Sequence, residues 1–190
     1  MLALQGAVRE HLWAIEEAGA EATPVRTLDE LDEVDALVLP GGESTTMDKL
    51  LRKFSLQARL RERLAGGLPA LATCAGLILL ARDVADGLPD QESLGVLPLR
   101  VRRNAYGRQP DSFEADLDVQ GLDGPFHGVF IRAPVIEGVD GDVEVLAEAR
   151  GHPVAVARGP VVGLTFHPEL THDARLHRLF LERAGLVETE

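Results

Sequence analysis

Apolar and polar positions follow one rhythm in the first half of the chain and another in the second. Residues 1–5, Met1-Leu-Ala-Leu-Gln5, read as a short apolar strand. Val8, Leu12 and Ile15 then recur at i, i+4 and i+7, which predicts an amphipathic helix over residues 7–18, ended near Gly19. A second strand is expected at 22–26 and a third at 35–40, the latter running into Gly41-Gly-Glu-Ser-Thr-Thr46. Ser44 or Thr45 is placed to cap a helix beginning near Met47. Residues 55–64 carry Leu56, Leu60 and Leu64 on one helical face. Leu68-Pro-Ala-Leu-Ala-Thr-Cys-Ala-Gly-Leu-Ile-Leu-Leu-Ala81 reads as a buried strand, a sharp turn at Cys74 and a helix. From there strands dominate, at 94–101, 113–119, 128–133, 143–149, 153–158 and 161–166, with helical pattern returning only at 173–184.

The alternation of strand and helix in the first half implies a mostly parallel central sheet with helices on both faces, a three-layer, flavodoxin-like α/β fold. The strand-rich second half implies an antiparallel extension. With no linker between the halves, residues 1–190 are expected to form a single domain around a shared core.

Composition narrows the function classes. A net charge of −12 argues against nucleic acid as a partner, because its phosphates would be repelled. No apolar run approaches the roughly 20 residues of a membrane span. The N-terminus lacks the basic and apolar regions of a signal peptide. The single cysteine forms no internal disulfide. Together these lead to the expectation of a cytoplasmic protein that binds neither membrane nor nucleic acid.

That cysteine is the first candidate for chemistry. A strand feeding directly into a helix forces the residue between them into a strained turn, and its neighbours two positions away must be small; here they are Ala72 and Gly76. The helix start favours a thiolate at Cys74, and the Ala75 N–H faces the same space, where an oxyanion can form. The competing reading is a small core hydrophobe, the usual fate of a free cysteine. The second candidate is Phe166-His-Pro-Glu-Leu170. Proline holds the preceding residue extended, so His167 and Glu169 point the same way, and the carboxylate can orient the imidazole. Taken alone, the segment is better explained as a surface His and Glu at a strand end. His11, His127, His152, His172 and His177 show no comparable partner, and His172 and His177 are expected to be solvated. The third candidate is Gly41-Gly-Glu-Ser44, at the strand edge where open α/β sheets bind ligands. A phosphate loop is the rival there, but neither a Walker pattern nor G-x-G-x-x-G is present. Arg102-Arg-Asn104 and Ile131-Arg132 can each bring a guanidinium to a carboxylate, though most arginines are solvated surface residues.

Taken together, Gly41-Gly-Glu-Ser-Thr-Thr46, Ala72-Thr-Cys-Ala-Gly76 and Phe166-His-Pro-Glu-Leu170 resemble the class I (triad) glutamine amidotransferases, in which the carboxylate follows the histidine by two residues. The resemblance narrows to the glutaminase-subunit family of pyridoxal 5'-phosphate synthase through Leu4-Gln-Gly-Ala-Val-Arg-Glu-His11, Pro40-Gly-Gly-Glu-Ser-Thr-Thr-Met47, Arg103-Asn-Ala-Tyr-Gly-Arg-Gln109, Asp111-Ser-Phe-Glu-Ala-Asp116 and Gly128-Val-Phe-Ile-Arg-Ala-Pro134. It implies a class I amidotransferase fold and hydrolysis of L-glutamine to L-glutamate and ammonia by a Cys74, His167, Glu169 triad. It also implies an oxyanion hole from the N–H groups of Gly42 and Ala75, and a glutamine pocket of Gly41, Gly42, Glu43, Arg103, Ile131 and Arg132. No cofactor and no metal are implied. The implied partner is a synthase subunit, in a hetero-oligomer, that takes up the ammonia before water protonates it and builds pyridoxal phosphate from it. The sequence departs from the family in a shorter segment before Leu4, and at Ala72, where such elbows usually carry glycine. The alternatives are an amidotransferase serving a different synthase and a cysteine hydrolase of related elbow architecture.

Overall fold

The computed structural model describes residues 1–87, 89–103 and 112–189, so residues 104–109 and Asp111 of the family-like segments lie outside the described residues. The central sheet joins β1 (Leu37–Leu39), β2 (Ala70–Thr73), β10 (Val161–Leu164), β9 (His152–Arg158) and β8 (Glu144–Ala149), in that order. β1, β2 and β10 are parallel, and β9 and β8 extend them antiparallel. The two expected N-terminal strands shrink to a parallel bridge between Leu2 and Val25. Ala3 N–H to Val25 O and Val25 N–H to Met1 O make the bridge, and Leu2 N–H to Val38 O of β1 ties it to the sheet.

The parallel strands β1, β2 and β10 are buried at every position, as a sheet covered on both faces requires, and successive side chains point to opposite faces. Leu37, Leu39, Ala70 and Ala72 face one apolar cluster, with Met47 and Leu51 of α3 (Ser44–Lys53) and Leu56, Leu60 and Leu64 of α4 (Leu56–Ala65). Val38, Leu71 and Val162 face a second cluster, with Ile15 of α1 (Val8–Glu17) and Leu176, Leu179 and Phe180 of α6 (Arg175–Arg183). The expected shared core is therefore two clusters separated by the sheet, which is the three-layer arrangement.

Several elements differ from expectation. Thr27 opens an unforeseen helix, α2 (Leu28–Glu33), through a capping box with Glu30. The cap of α3 is neither Ser44 nor Thr45 but Glu43, whose carboxylate accepts the N–H groups of Thr45 and Thr46. The helix after Cys74, α5 (Ala75–Leu80), is one residue shorter than its apolar run, because Ala81 turns extended and starts β3 (Ala81–Val84). β3, β4 (Leu97–Arg102) and β7 (Val135–Val139) make a separate three-stranded sheet, and β5 (Phe113–Leu117) pairs with β6 (Phe126–Phe130) as a hairpin. The antiparallel part is thus split among three places. β6 begins two residues before the predicted strand at 128–133 and ends at Phe130, leaving Ile131 and Arg132 in the turn that follows. No helix among the described residues is long and apolar enough to cross a membrane.

Candidate active site

Three strand ends converge at the C-terminal edge of the parallel strands: β1 leads to Gly41-Gly42, β2 to Cys74 and β10 to His167. Cys74 sits at φ 47°, ψ −103°, between the last residue of β2 and the first of α5. A positive φ is strained for a residue with a Cβ, and it is held here because the Cys74 N–H is bonded to Leu164 O of β10 at 2.8 Å. The glycine two positions on is needed, as expected. A Cβ on Gly76 would overlap the carbonyl oxygen of Leu39, so α5 packs this close to β1 only with glycine there. Gly76→Ala is expected to lower the unfolding free energy by about 3 kcal/mol, the scale of an overpacked core site, even though alanine is the better helix former; a denaturant titration measures it. Ala72 is fully buried between Leu39 and Gly163, its methyl part of the first apolar cluster.

His167 leaves β10 with its N–H bonded to Val129 O of β6 at 2.9 Å. The following 3₁₀ turn, Pro168–Leu170, swings Glu169 back beneath it, so that His167 Nδ1 lies 2.8 Å from Glu169 Oε1. The Glu169 side chain is wholly buried, and only a fraction of His167 (12%) and of Cys74 (7%) meets solvent. Burial works against a charged imidazole, but Cys74 and Glu169 outweigh it by hydrogen bonding and charge, and push His167 up to about 10. A proton given up by Cys74 is therefore held firmly by His167.

The glycine loop closes over the imidazole. A Cβ on Gly41 would strike the His167 ring, one on Gly42, at φ 145°, the Gln5 amide, and one on Gly6 the Gly41 carbonyl. The loop is tied down by Gln5 Oε1, which accepts the Glu43 N–H. Glu43 also accepts the Thr46 hydroxyl and receives Arg103 Nη2 at 3.1 Å, while Arg103 Nη1 donates to Gln91. Partial burial raises the Glu43 carboxyl, but the Thr46 and Thr45 donors prevail and hold it below the usual carboxylate range.

These groups surround one cavity of about 410 Å³. Cys74, Ala75 and His167 line it together with Gly41 and Gly42; Glu43, Arg103, Ile131 and Arg132 line it further out. Every site residue expected from the sequence is thus brought to one place. A larger cavity, about 750 Å³, lies among residues such as Met1, Thr23, Glu33 and Leu186 and holds neither cysteine nor histidine, so nothing there pairs a nucleophile with a base.

The SNO glutamine amidotransferase family matches residues 1–186, nearly the whole chain and the whole site. The chain belongs to that family. It is 61% identical over 184 residues to the pyridoxal 5'-phosphate synthase subunit PdxT of Mycolicibacterium vanbaalenii, covering 95% of this chain and 94% of that one. Identity to the PdxT of Mycobacteroides abscessus is 58% over 187 residues, covering 97% of each. Among solved structures, a glutamine amidotransferase superposes with a TM-score of 0.90 at 52% identity over 97% of both chains. A putative GMP synthase component from Thermoplasma acidophilum, 18% identical, shares the fold with a TM-score of 0.67 over 95% of this chain and 89% of that one.

Sequence reasoning misjudged the remaining histidines of this family member. His177 is not solvated: it and His11 are completely buried, with His11 Nδ1 2.8 Å from His177 Nε2. His11 Nε2 lies 3.4 Å from Glu169 Oε2, on the side of the carboxylate away from His167. His127 also has partners, an exposed bridge to Asp116 and Glu114. Of the two histidines expected to be solvated, His172 alone is exposed, edge-on to Trp13. The overlooked signal is spacing. His11 stands three residues after Val8 and four before Ile15, inside the apolar stripe of α1, and His177 stands three before Phe180.

Burial pushes His177 down to about 4. Its pKa in the unfolded chain is the ordinary 6.5, so between pH 6.5 and 4 the unfolded chain binds the extra proton and folding weakens as pH falls. The contribution lost is about 3 kcal/mol as pH approaches 4. Melting curves from pH 7 to pH 4.5 are expected to show a smaller loss for His177→Phe than for the parent protein.

Proposed function

We propose that this chain is the glutaminase subunit of a pyridoxal 5'-phosphate synthase, releasing ammonia from L-glutamine for a synthase subunit. The observation that carries this reading is the cavity itself, where a strained cysteine beside an imidazole–carboxylate pair meets Glu43 and the two arginines Arg103 and Arg132. A free amino acid has one ammonium and one carboxylate for those walls, which an interior residue of a peptide lacks. A general cysteine hydrolase is therefore disfavoured. An amidotransferase of another pathway is disfavoured because the relatives at 56–61% identity are PdxT subunits.

In the first step the Cys74 sulfur attacks the side-chain amide carbon of glutamine while its proton passes to His167. The oxyanion that forms accepts the N–H groups of Gly42 and Ala75. As the tetrahedral adduct collapses, the C–N bond breaks, His167 returns the proton to the leaving nitrogen, and ammonia departs, leaving a γ-glutamyl thioester. Water then attacks the thioester with neutral His167 as base, and glutamate and the free thiol are regenerated. Glu169 keeps the Nδ1 proton of His167 in place, so that Nε2 faces the sulfur. Side chains and water suffice for both half-reactions.

Ammonia in neutral water is mostly ammonium, which has no lone pair for attack, so a synthase chain docked over the cavity is the expected recipient. We place the chain, as one domain, in the cytoplasm in a hetero-oligomer with that synthase. The test is glutamate release from L-glutamine by the chain alone and with its synthase subunit. Strong stimulation by the synthase is expected. Glutamine left intact under both conditions, or peptides cleaved in its place, would reject the reading.

A further inference from the structure

Behind the imidazole–carboxylate pair the buried polar chain continues. Glu169 Oε1 is taken by His167, while Oε2 has no hydrogen-bond partner and lies 3.4 Å from His11 Nε2, slightly long for a hydrogen bond. His11 Nε2 is also 3.3 Å from the Thr73 hydroxyl, one residue before the nucleophile. His11 Nδ1 is 2.8 Å from His177 Nε2, and His177 Nδ1 has no partner.

Elementary hydrogen-bond chemistry assigns the protons. A carboxylate oxygen only accepts, and the Thr73 hydroxyl can take either role, so the tautomer that keeps bare lone pairs from facing each other in this buried site has the His11 proton on Nε2. A neutral His11 then offers Nδ1 as an acceptor, and His177 must donate from Nε2. That leaves His177 Nδ1 as a bare lone pair, consistent with its lack of a partner. Burial, and then the neighbouring His177 and His167, hold His11 well below its ordinary pKa, so the neutral form is the one present. The titratable groups that face His11 are Glu169 and His167 from the segment after β10, His177 from α6 and, less directly, the Met1 amino group.

We propose that His11 and His177 are positioning residues for the triad: His11 aims its Nε2–H at the second oxygen of Glu169, and His177 fixes the tautomer of His11 that does so. The bond tightens as substrate orders the site, a common change between an open and an occupied active site. With both oxygens directed, the carboxylate cannot rotate away from His167. The inference rests on the glutaminase reading, since it concerns turnover of that site.

The test uses the full chain assembled with its synthase subunit. His11→Phe keeps the ring volume without a donor, and His11→Gln restores an N–H near the position of Nε2. His177→Phe frees the tautomer. His11→Phe is expected to lower kcat for glutamine roughly tenfold with KM little changed, as for a lost donor to a charged group. The acid limb of its kcat/KM profile is expected to move to higher pH, because a Glu169 carboxylate that no longer shares its charge with a His11 donor holds the His167 proton more tightly. His11→Gln recovers most of kcat and the original limb, and His177→Phe shows the same changes as His11→Phe but smaller. Melting curves report folding. If a folded His11→Phe keeps kcat within twofold of the parent, or if His11→Gln is as impaired as His11→Phe, the inference is overturned. Should His11→Phe not fold, a folded His177→Phe with parental kcat and pH profile overturns it, and one with lowered kcat and a shifted limb upholds it. Failure of the parent protein to hydrolyse glutamine sinks the glutaminase reading, a distinct result.

Discussion

Cys74→Ala, assayed with the synthase subunit present, is expected to release glutamate at least about 10⁴-fold more slowly than the parent chain, because no other group in the cavity can form the thioester. The fold should survive the change. The sulfur is small, the position is buried only to the mouth of the cavity, and the strained backbone is held by its bond to Leu164 rather than by the side chain. Alanine at φ 47° has the same Cβ as cysteine, so the strain neither grows nor disappears. Glutamine binding, read by calorimetry, should remain within a few-fold of the parent, since the charged walls are untouched. A Cys74→Ala protein that is folded and still fully active would remove the cysteine from the mechanism and the proposed function with it.

Glu169→Gln is expected to be nearly as severe, at about 10³–10⁴-fold in kcat. The carboxylate is completely enclosed and meets His167 Nδ1 at 2.8 Å. An amide of the same shape can turn its NH₂ group toward the imidazole, which then carries its proton on Nε2, where the thiol proton must go. It also removes the negative charge that, together with Cys74, raises His167 to about 10. The pH dependence gives an independent sign. Without the carboxylate, the His167 pKa falls, and the acid limb of kcat/KM should move to lower pH even as the plateau drops. A Glu169→Gln variant with parental kcat would show that His167 needs no orienter.

The legible parts of the protein are those in which local chemistry and tertiary structure ask for the same residues. The turn at Cys74 demands small neighbours and the glycine loop demands close backbone approach; both demands are written in the residue types, and both are met in the structure. His167 and Glu169 are joined by a three-residue segment whose proline limits its geometry, so their pairing follows without tertiary knowledge. The sequence is silent where tertiary partners decide. β3 follows α5 without a turn residue, so nothing punctuates the boundary between Leu80 and Ala81. β7 begins right after Pro134 and pairs with β4, thirty-odd residues upstream, across a register shift. Glu43 looks like a ligand group alone, yet it also caps α3, because its side chain is long enough to fold back onto the Thr45 and Thr46 amides. His11 and His177 look polar, and residue type alone leaves them unpartnered or solvated. Only the packing of α1 against both α6 and the 3₁₀ turn shows that each shields the other's ring nitrogen from the core.

The β5–β6 hairpin connects two jobs. Val129 of β6 anchors the backbone of His167, and the turn directly after the same strand presents Ile131 and Arg132 to the cavity. Stacking of Phe113 on Phe130, with Phe130 against Phe166, welds that strand to the segment carrying the base. Substrate grip and base placement therefore share a single mounting. Redesign of this enzyme toward a larger or differently charged amide through the 131–132 turn will carry a turnover penalty of its own, and libraries that vary the turn need compensating changes at Phe113 or Phe166 to separate selectivity from rate.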